Sequence, residues 1–139
     1  MRLEKTEIRL PTTAETDVVD LTPEVARFIE QTGISSGWAL VFVPGSTGAV
    51  TTIEFESGCL EDLRAAVERL ASRDAEYAHN LRWGDGNGYS HVRAALLSPS
   101  LTVPVHDRAL ALGTWQQIVL CDFDNRPRER RVLLEVLGE

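Results

Sequence analysis

A mixed α+β fold follows from three observations on the sequence. Apolar residues switch between a period of two and a helical 3,4 spacing, so both element types are present. Turn chemistry such as Pro44–Gly48 and Asp124–Pro127 separates these segments at short intervals. The strands outnumber the helices too far for a run of parallel crossovers. The order read is ββα–ββα–βββ, with two main helices in a single domain spanning residues 1–139.

Residues 2–10 alternate, with Leu3, Ile8 and Leu10 among charged neighbours, which predicts a half-exposed edge strand. Pro11 and Thr12 to Thr16 mark a turn, and Asp17–Leu21 is a second short strand. Thr22 followed by Pro23 predicts a capped helix over 23–32, stopped by Gly33. Trp38–Val43 is apolar at every position, which predicts a strand buried on both faces. Ala49–Phe55 is the next strand, with Glu54 a carboxylate at its end. Ser57 is a candidate cap for a helix running to about Ser72, with Leu60, Leu63, Val67 and Leu70 on its core face. Ser90 caps a short helical turn that Pro99 ends. The remainder reads as a meander of Leu101–Val105, Leu110–Leu112, Thr114–Phe123 and Glu129–Leu137. Both alternating sets of Thr114–Phe123 are apolar, which implies cover on both faces from another layer or another subunit.

Composition narrows the function classes. The 139-residue chain is 43% hydrophobic and 25% charged, an ordinary globular balance. A net charge of −7 argues against nucleic-acid binding and against a polybasic membrane anchor. Arg126, Arg128, Arg130 and Arg131 form a local basic run, read as a solvated hairpin. Cys59 and Cys121 sit in apolar surroundings with no CxxC partner, so both are expected as buried free thiols, which suits a reducing cytoplasm. The first residues carry alternating charge and no apolar core of a leader, and no run approaches the roughly 20 residues of a membrane span. A cytoplasmic location is the expectation.

One stretch, Tyr77 to Arg93, carries chemistry out of proportion to its length. YAHNLRWGDGNGYSHVR gathers His79, His91, Asp85, Asn80, Asn87 and Gly84, Gly86, Gly88 without apolar periodicity, and is read as a loop. Two imidazoles and a carboxylate suit a divalent metal such as Zn²⁺ with an open position, or else histidines that only tie the loop together. The GDGNG run offers an anion-binding nest or a tight turn needing positive φ. It is no EF-hand, because Leu96 stands where a bidentate Glu is required. His106 beside Asp107 is read as a surface histidine. Ser90 adjacent to His91 is a poor triad, and Cys121 lies inside a strand. Glu54 and Asp85 are an acid–base pair only if the fold joins them; a structural ion pair is the alternative for Glu54.

The motifs VFVPGST, TTIE, YAHN, WGDGNGYSHVRAALL, SLTVPV and LALGTWQQIVLCDFDNRPRERRV, with a terminal LGE, together resemble the YjbQ family, whose members are sometimes labelled secondary thiamine-phosphate synthases. The resemblance covers the chain from about residue 34 onward and implies a β-sandwich-like core, a homotrimer and a site near each subunit boundary. It places family histidines at His79 and His91, the GDxN pair at Asp85 and Asn87, and an acidic residue at Glu54. Many relatives carry a histidine where this chain has Gly45. The reading that follows makes His79, Asp85 and His91 metal ligands. Glu54 and His91 are the catalytic groups, and Thr47, Asn87 and Trp115 are ligand contacts. The expected ligand is a small phosphorylated or anionic molecule.

Overall fold

The computed structural model describes residues 1–139. Its elements are β1 Arg2–Pro11, β2 Val18–Asp20, α1 Thr22–Thr32, β3 Ser36–Phe42, β4 Gly48–Ile53, α2 Ser57–Leu70, α3 Ala78–Trp83, α4 Gly88–Leu97, β5 Ser100–His106, β6 Ala109–Leu110, β7 Gln117–Asp122 and β8 Glu129–Gly138. They form two antiparallel sheets, one of order β1-β8-β3-β5-β6 and one of order β2-β7-β4. The α+β class is as expected from the element pattern and the sandwich-like core as the resemblance implies, with four helices where the sequence suggests two main ones.

The core lies between the sheets. Val41, Val103, Leu134 and Val136 from the larger sheet meet Val50, Ile118 and Leu120 from the smaller one, and α1 adds Val25 and Ile29. Each of these side chains stabilises the fold by roughly 1.5–3 kcal/mol through burial. On its other face the smaller sheet presents Ala49, Val119 and Cys121 to Val67 of α2 and Ala94 of α4. This explains the doubly apolar 114–123 segment: β7 is covered by the chain's own layers on both sides, and needs no second subunit for that.

Several local expectations change. The meander breaks after β6, because β7 crosses to the smaller sheet between β2 and β4. β3 is buried on one face only; Trp38 on its other face is 52% exposed. Thr22 does not cap α1: Leu21 holds that position, and the Thr22 hydroxyl accepts from Ile118 N–H at 2.8 Å. Glu56, one residue before Ser57, caps α2 by accepting from Gly58 and Cys59 N–H, both at 2.8 Å. Its carboxyl is held below the usual range by those two amides, Cys59's first. The arginine run is no solvated hairpin throughout. Arg130 is 5% exposed and pairs with Asp122, and Arg128 pairs with the buried Asp124. Only Cys121 matches the buried-thiol expectation, its pKa pushed up to about 12 by burial. Cys59 is half-buried beside carboxylates.

Candidate functional site

The 77–93 stretch is a helical corner, α3 and α4 joined by residues 84–87. Gly84 ends α3 in the left-handed region with φ 73°, and Gly86 follows with φ 70°, which meets the expectation of a positive-φ turn. Ser90 lies inside α4, and its hydroxyl donates to the Phe123 carbonyl. It therefore neither caps the helix nor serves as a nucleophile. The Asn80 side chain accepts from Gly88 N–H at 2.9 Å, and Asn125 donates to the Asp85 carbonyl at 2.9 Å. These bonds fix the corner against the β7–β8 connection.

The fold brings His79 and His91 together, with ring centroids 4.5 Å apart in an edge-to-face arrangement. Nε2 of His79 stands 3.2 Å from Asp85 Oδ1. A carboxylate offers only acceptors, so the Asn87 amide nitrogen belongs on that side, where it donates to Asp85 Oδ1 at 2.9 Å and lies 3.0 Å from His79 Nε2. The His79–Asp85 pair is 33% and 48% exposed, so solvent screens its attraction. His91 turns the other way: Nδ1 lies 3.2 Å from the Ser46 carbonyl oxygen. A carbonyl only accepts, so Nδ1 carries the proton, and in the neutral ring Nε2 keeps a lone pair.

As metal ligands the three residues converge only in part. The donor atoms of His79, Asp85 and His91 do not lie within 4.8 Å of one another as a set, whereas those of Glu54, Glu56 and Cys59 do. The two glutamates of that second cluster are exposed and its thiol is half-buried. The cluster holds Cys59 Sγ 3.6 Å from Glu54 Oε2, and partial burial and then the two glutamates push the thiol up. Glu54 is therefore not beside the histidines. It follows β4, whose Gly48 end adjoins Ser46, and six residues of strand span roughly 20 Å. Trp115, 70% exposed, shares the Glu54 end: Gln116 donates to Thr52 Oγ1 at 3.2 Å, and Phe55 N–H donates to Gln117 at 3.5 Å. Within one chain, the expected joining of Glu54 and Trp115 to the histidines does not occur. His106 ends β5 exposed, as read.

Thr47 is buried rather than open to ligand. Its hydroxyl accepts from Arg130 Nη2 at 2.6 Å and donates to Asp124 Oδ2 at 3.1 Å. Arg130 in turn donates through Nε to Asp122 Oδ1 at 2.8 Å. Burial pushes the Asp122 carboxyl above its ordinary value, against the pull of Arg130. Burial acts on Asp124 in the same sense, but Arg128, the Asn125 N–H and Thr47 together hold it below its ordinary value. No motif in the sequence announces this network. Its signal was present: Arg130 shares an inward strand face with Val132, Leu134 and Val136, and Asp122 interrupts an apolar run.

Beside His91 lies a pocket of about 280 Å³, walled by Gly45, Ser46, Gly48, Ala94, Ala95 and Pro99. It is about the size of the smallest ligand cavities.

Comparison with known proteins gives the setting. A model of the YjbQ-like UPF0047 family matches residues 6–139. A UPF0047 protein of Methanothermobacter thermautotrophicus is 39% identical over 133 residues, 96% of this chain and 91% of that one. YugU of Bacillus subtilis is 33% identical, covering 94% and 97%. The crystal structure of a YbjQ-like protein of unknown function from Sulfolobus solfataricus superposes with TM-score 0.94 at 33% identity, covering 99% of both chains. A hypothetical protein from Aeropyrum pernix gives TM-score 0.91 at 32% identity, covering 98% of this chain and 99% of that one. No helix here is long and apolar enough to cross a membrane. Sequence motifs, fold and relatives agree, and the chain belongs to the YjbQ (UPF0047) family.

Proposed function

We propose that this protein is a small-molecule enzyme that takes a phosphorylated or otherwise anionic ligand in the pocket beside His91. One observation carries the reading. His91 is held through Nδ1 and lines a pocket whose other wall includes Gly45, Ser46 and Gly48, and the N–H groups of Gly45 and Ser46 donate to no backbone acceptor. Two adjacent free amides in the wall of a pocket that an imidazole also lines suit an oxyanion and a proton transfer to or from it. The resemblance supplies the reaction class: the thiazole nitrogen of a thiazole phosphate takes the methylene carbon of a pyrimidine diphosphate, the C–N bond forming as the C–O bond breaks and pyrophosphate leaves. A pocket of about 280 Å³ holds one such molecule, so two substrates require space at a subunit boundary.

The homotrimer fits that need. Leu81 and Trp83 beside the histidines are 74% and 67% exposed, and Phe55 and Trp115 beside Glu54 are 43% and 70% exposed. Head-to-tail association of these two ends buries both patches and closes into a ring. It brings one subunit's Glu54 and Trp115 to the next subunit's His91, where Glu54 can act as base and Trp115 as a ligand contact. The test is turnover of the two precursors by the purified protein. Loss of turnover in His91→Ala and in Glu54→Gln supports the reading; turnover unchanged in either removes that residue from the chemistry.

A second reading has one observation behind it. The 3.2 Å between His79 Nε2 and Asp85 Oδ1 is the separation that two ligands of one tetrahedral Zn²⁺ would have, about 3.3 Å. In that reading the trimer stores or senses a divalent metal on His79, Asp85 and His91, the His91 ring turning to join. Elemental analysis of protein purified without chelator separates the readings. About one equivalent of metal, lost in His79→Ala, favours it. Metal-free protein that still binds pyrophosphate favours the enzyme, and protein that binds neither leaves a structural trimer.

A further inference from the structure

We infer that Arg130, which touches neither histidine, is the positioning residue that decides which ring nitrogen of His91 is free. The inference deepens the proposed function and rests on His91 as the working group.

The ring of His91 has one hydrogen bond, from Nδ1–H to the Ser46 carbonyl at 3.2 Å. Ser46 lies between strands, so no ladder fixes its carbonyl. What fixes it is the next residue. Thr47 is tied through its carbonyl to Phe123 N–H at 2.9 Å, and through its hydroxyl to Arg130 and Asp124. The planar guanidinium of Arg130 is set by Asp122, whose Oδ1 accepts from Nε at 2.8 Å and lies 2.7 Å from Nη2, which leaves Nη2 to donate to Thr47 at 2.6 Å.

Two glycines make room for this. A Cβ at Gly48 would stand 3.4 Å from Arg130 Cζ, and one at Gly45 would stand 3.1 Å from Nη1. The guanidinium therefore fills the underside of the 45–48 turn. The relay runs from Asp122 through Arg130 and the Thr47 hydroxyl to the Ser46 carbonyl, and so to Nδ1 of His91. A lysine at 130 would keep the charge and lose the fork that spans Asp122 and Thr47.

The experiment is long-range ¹H–¹⁵N NMR of the histidine rings in full-length protein dialysed against chelator, at a pH where both imidazoles are neutral. In the unmodified protein His91 is expected in the Nδ1–H form. In Arg130→Lys that preference falls about tenfold, as the loss of one well-made hydrogen bond would give, while His79 is unchanged. Thr47→Val, which keeps the ion pair and the side-chain shape, gives the same result if Arg130→Lys does not fold. Arg126→Lys, an exposed neighbour, leaves both rings as they are. A wild-type His91 tautomer in Thr47→Val overturns the relay, and so does an equal shift at His79, which would mean general loosening. The ligand reading fails on a different result: pyrophosphate binding unchanged in His91→Ala.

Discussion

Gly45 and Arg130 compete for one space: a Cβ at position 45 would lie 3.1 Å from Nη1 of Arg130, and the backbone there has φ +125°. The resemblance places a histidine at this position in many relatives. Here the guanidinium occupies the ground behind it, so the proposed site would rest on two histidines with a buried arginine beneath the 45–48 turn.

Gly45→Ala should accordingly cost about 1–2 kcal/mol of stability from the backbone conformation, with the contact to Arg130 added. Gly33→Ala is the comparison, because φ there is +71° and nothing lies within 4 Å of the added Cβ. It should cost only the backbone share, about 1–2 kcal/mol. Urea unfolding measures both; a loss at Gly45 no greater than at Gly33 would remove both the contact and the less favourable φ of +125° from the explanation.

The Asp122–Arg130 pair is buried at both ends. Arg130→Met leaves the Asp122 charge without a partner and should cost about 3–5 kcal/mol, part of which Asp122→Asn restores in the double variant. The pH dependence has a worked sign. Asp122 is raised in the folded protein, so its contribution to stability falls as pH climbs from the unfolded carboxylate value through the folded one. Asp124 is lowered, so its contribution is present above the unfolded value and is lost as pH falls through the folded one. Asp122→Asn and Asp124→Asn should therefore change the acid limb of the stability curve in opposite directions.

Glu56 caps α2 as a carboxylate, and its lowered pKa gives the same sign as Asp124. Glu56→Gln should destabilise the protein at neutral pH, and the difference should vanish once Glu56 itself is protonated in acid. A difference that persists in acid would mean the amide disturbs α2 by something other than lost charge.

The sequence carried the fold because most elements bury one regular face: Val25 and Ile29 in α1, and Val132, Leu134 and Val136 in β8. It did not carry the partition into two sheets, since nothing in the alternation of β7 names its neighbours. The 77–93 stretch reads as a loop in sequence because α3 has only six residues and Gly84, Gly86 and Gly88 hide the start of α4. Proximity of His79 to Asp85 was legible from their spacing. The distance of Glu54 was not, because it depends on which end of β4 the histidines meet. Arg130 is legible from strand alternation, which places it inward, although its run with three other arginines suggests solvent.

Head-to-tail association predicts that Trp115→Ala weakens assembly. Sedimentation should show a trimer for the unmodified protein at micromolar concentration and a shift toward monomer in this variant. A trimer unaffected by Trp115→Ala would place the interface elsewhere, for which the open face of β3 around Trp38 is the next surface to examine.

The decisive measurement is calorimetric titration of the purified, metal-free protein with inorganic pyrophosphate, alongside His91→Ala. Binding near one equivalent per chain, weakened at least tenfold by His91→Ala, which amounts to about 1.4 kcal/mol, is the predicted result. Absence of binding, or binding that His91→Ala leaves intact, would contradict a ligand site built on His91.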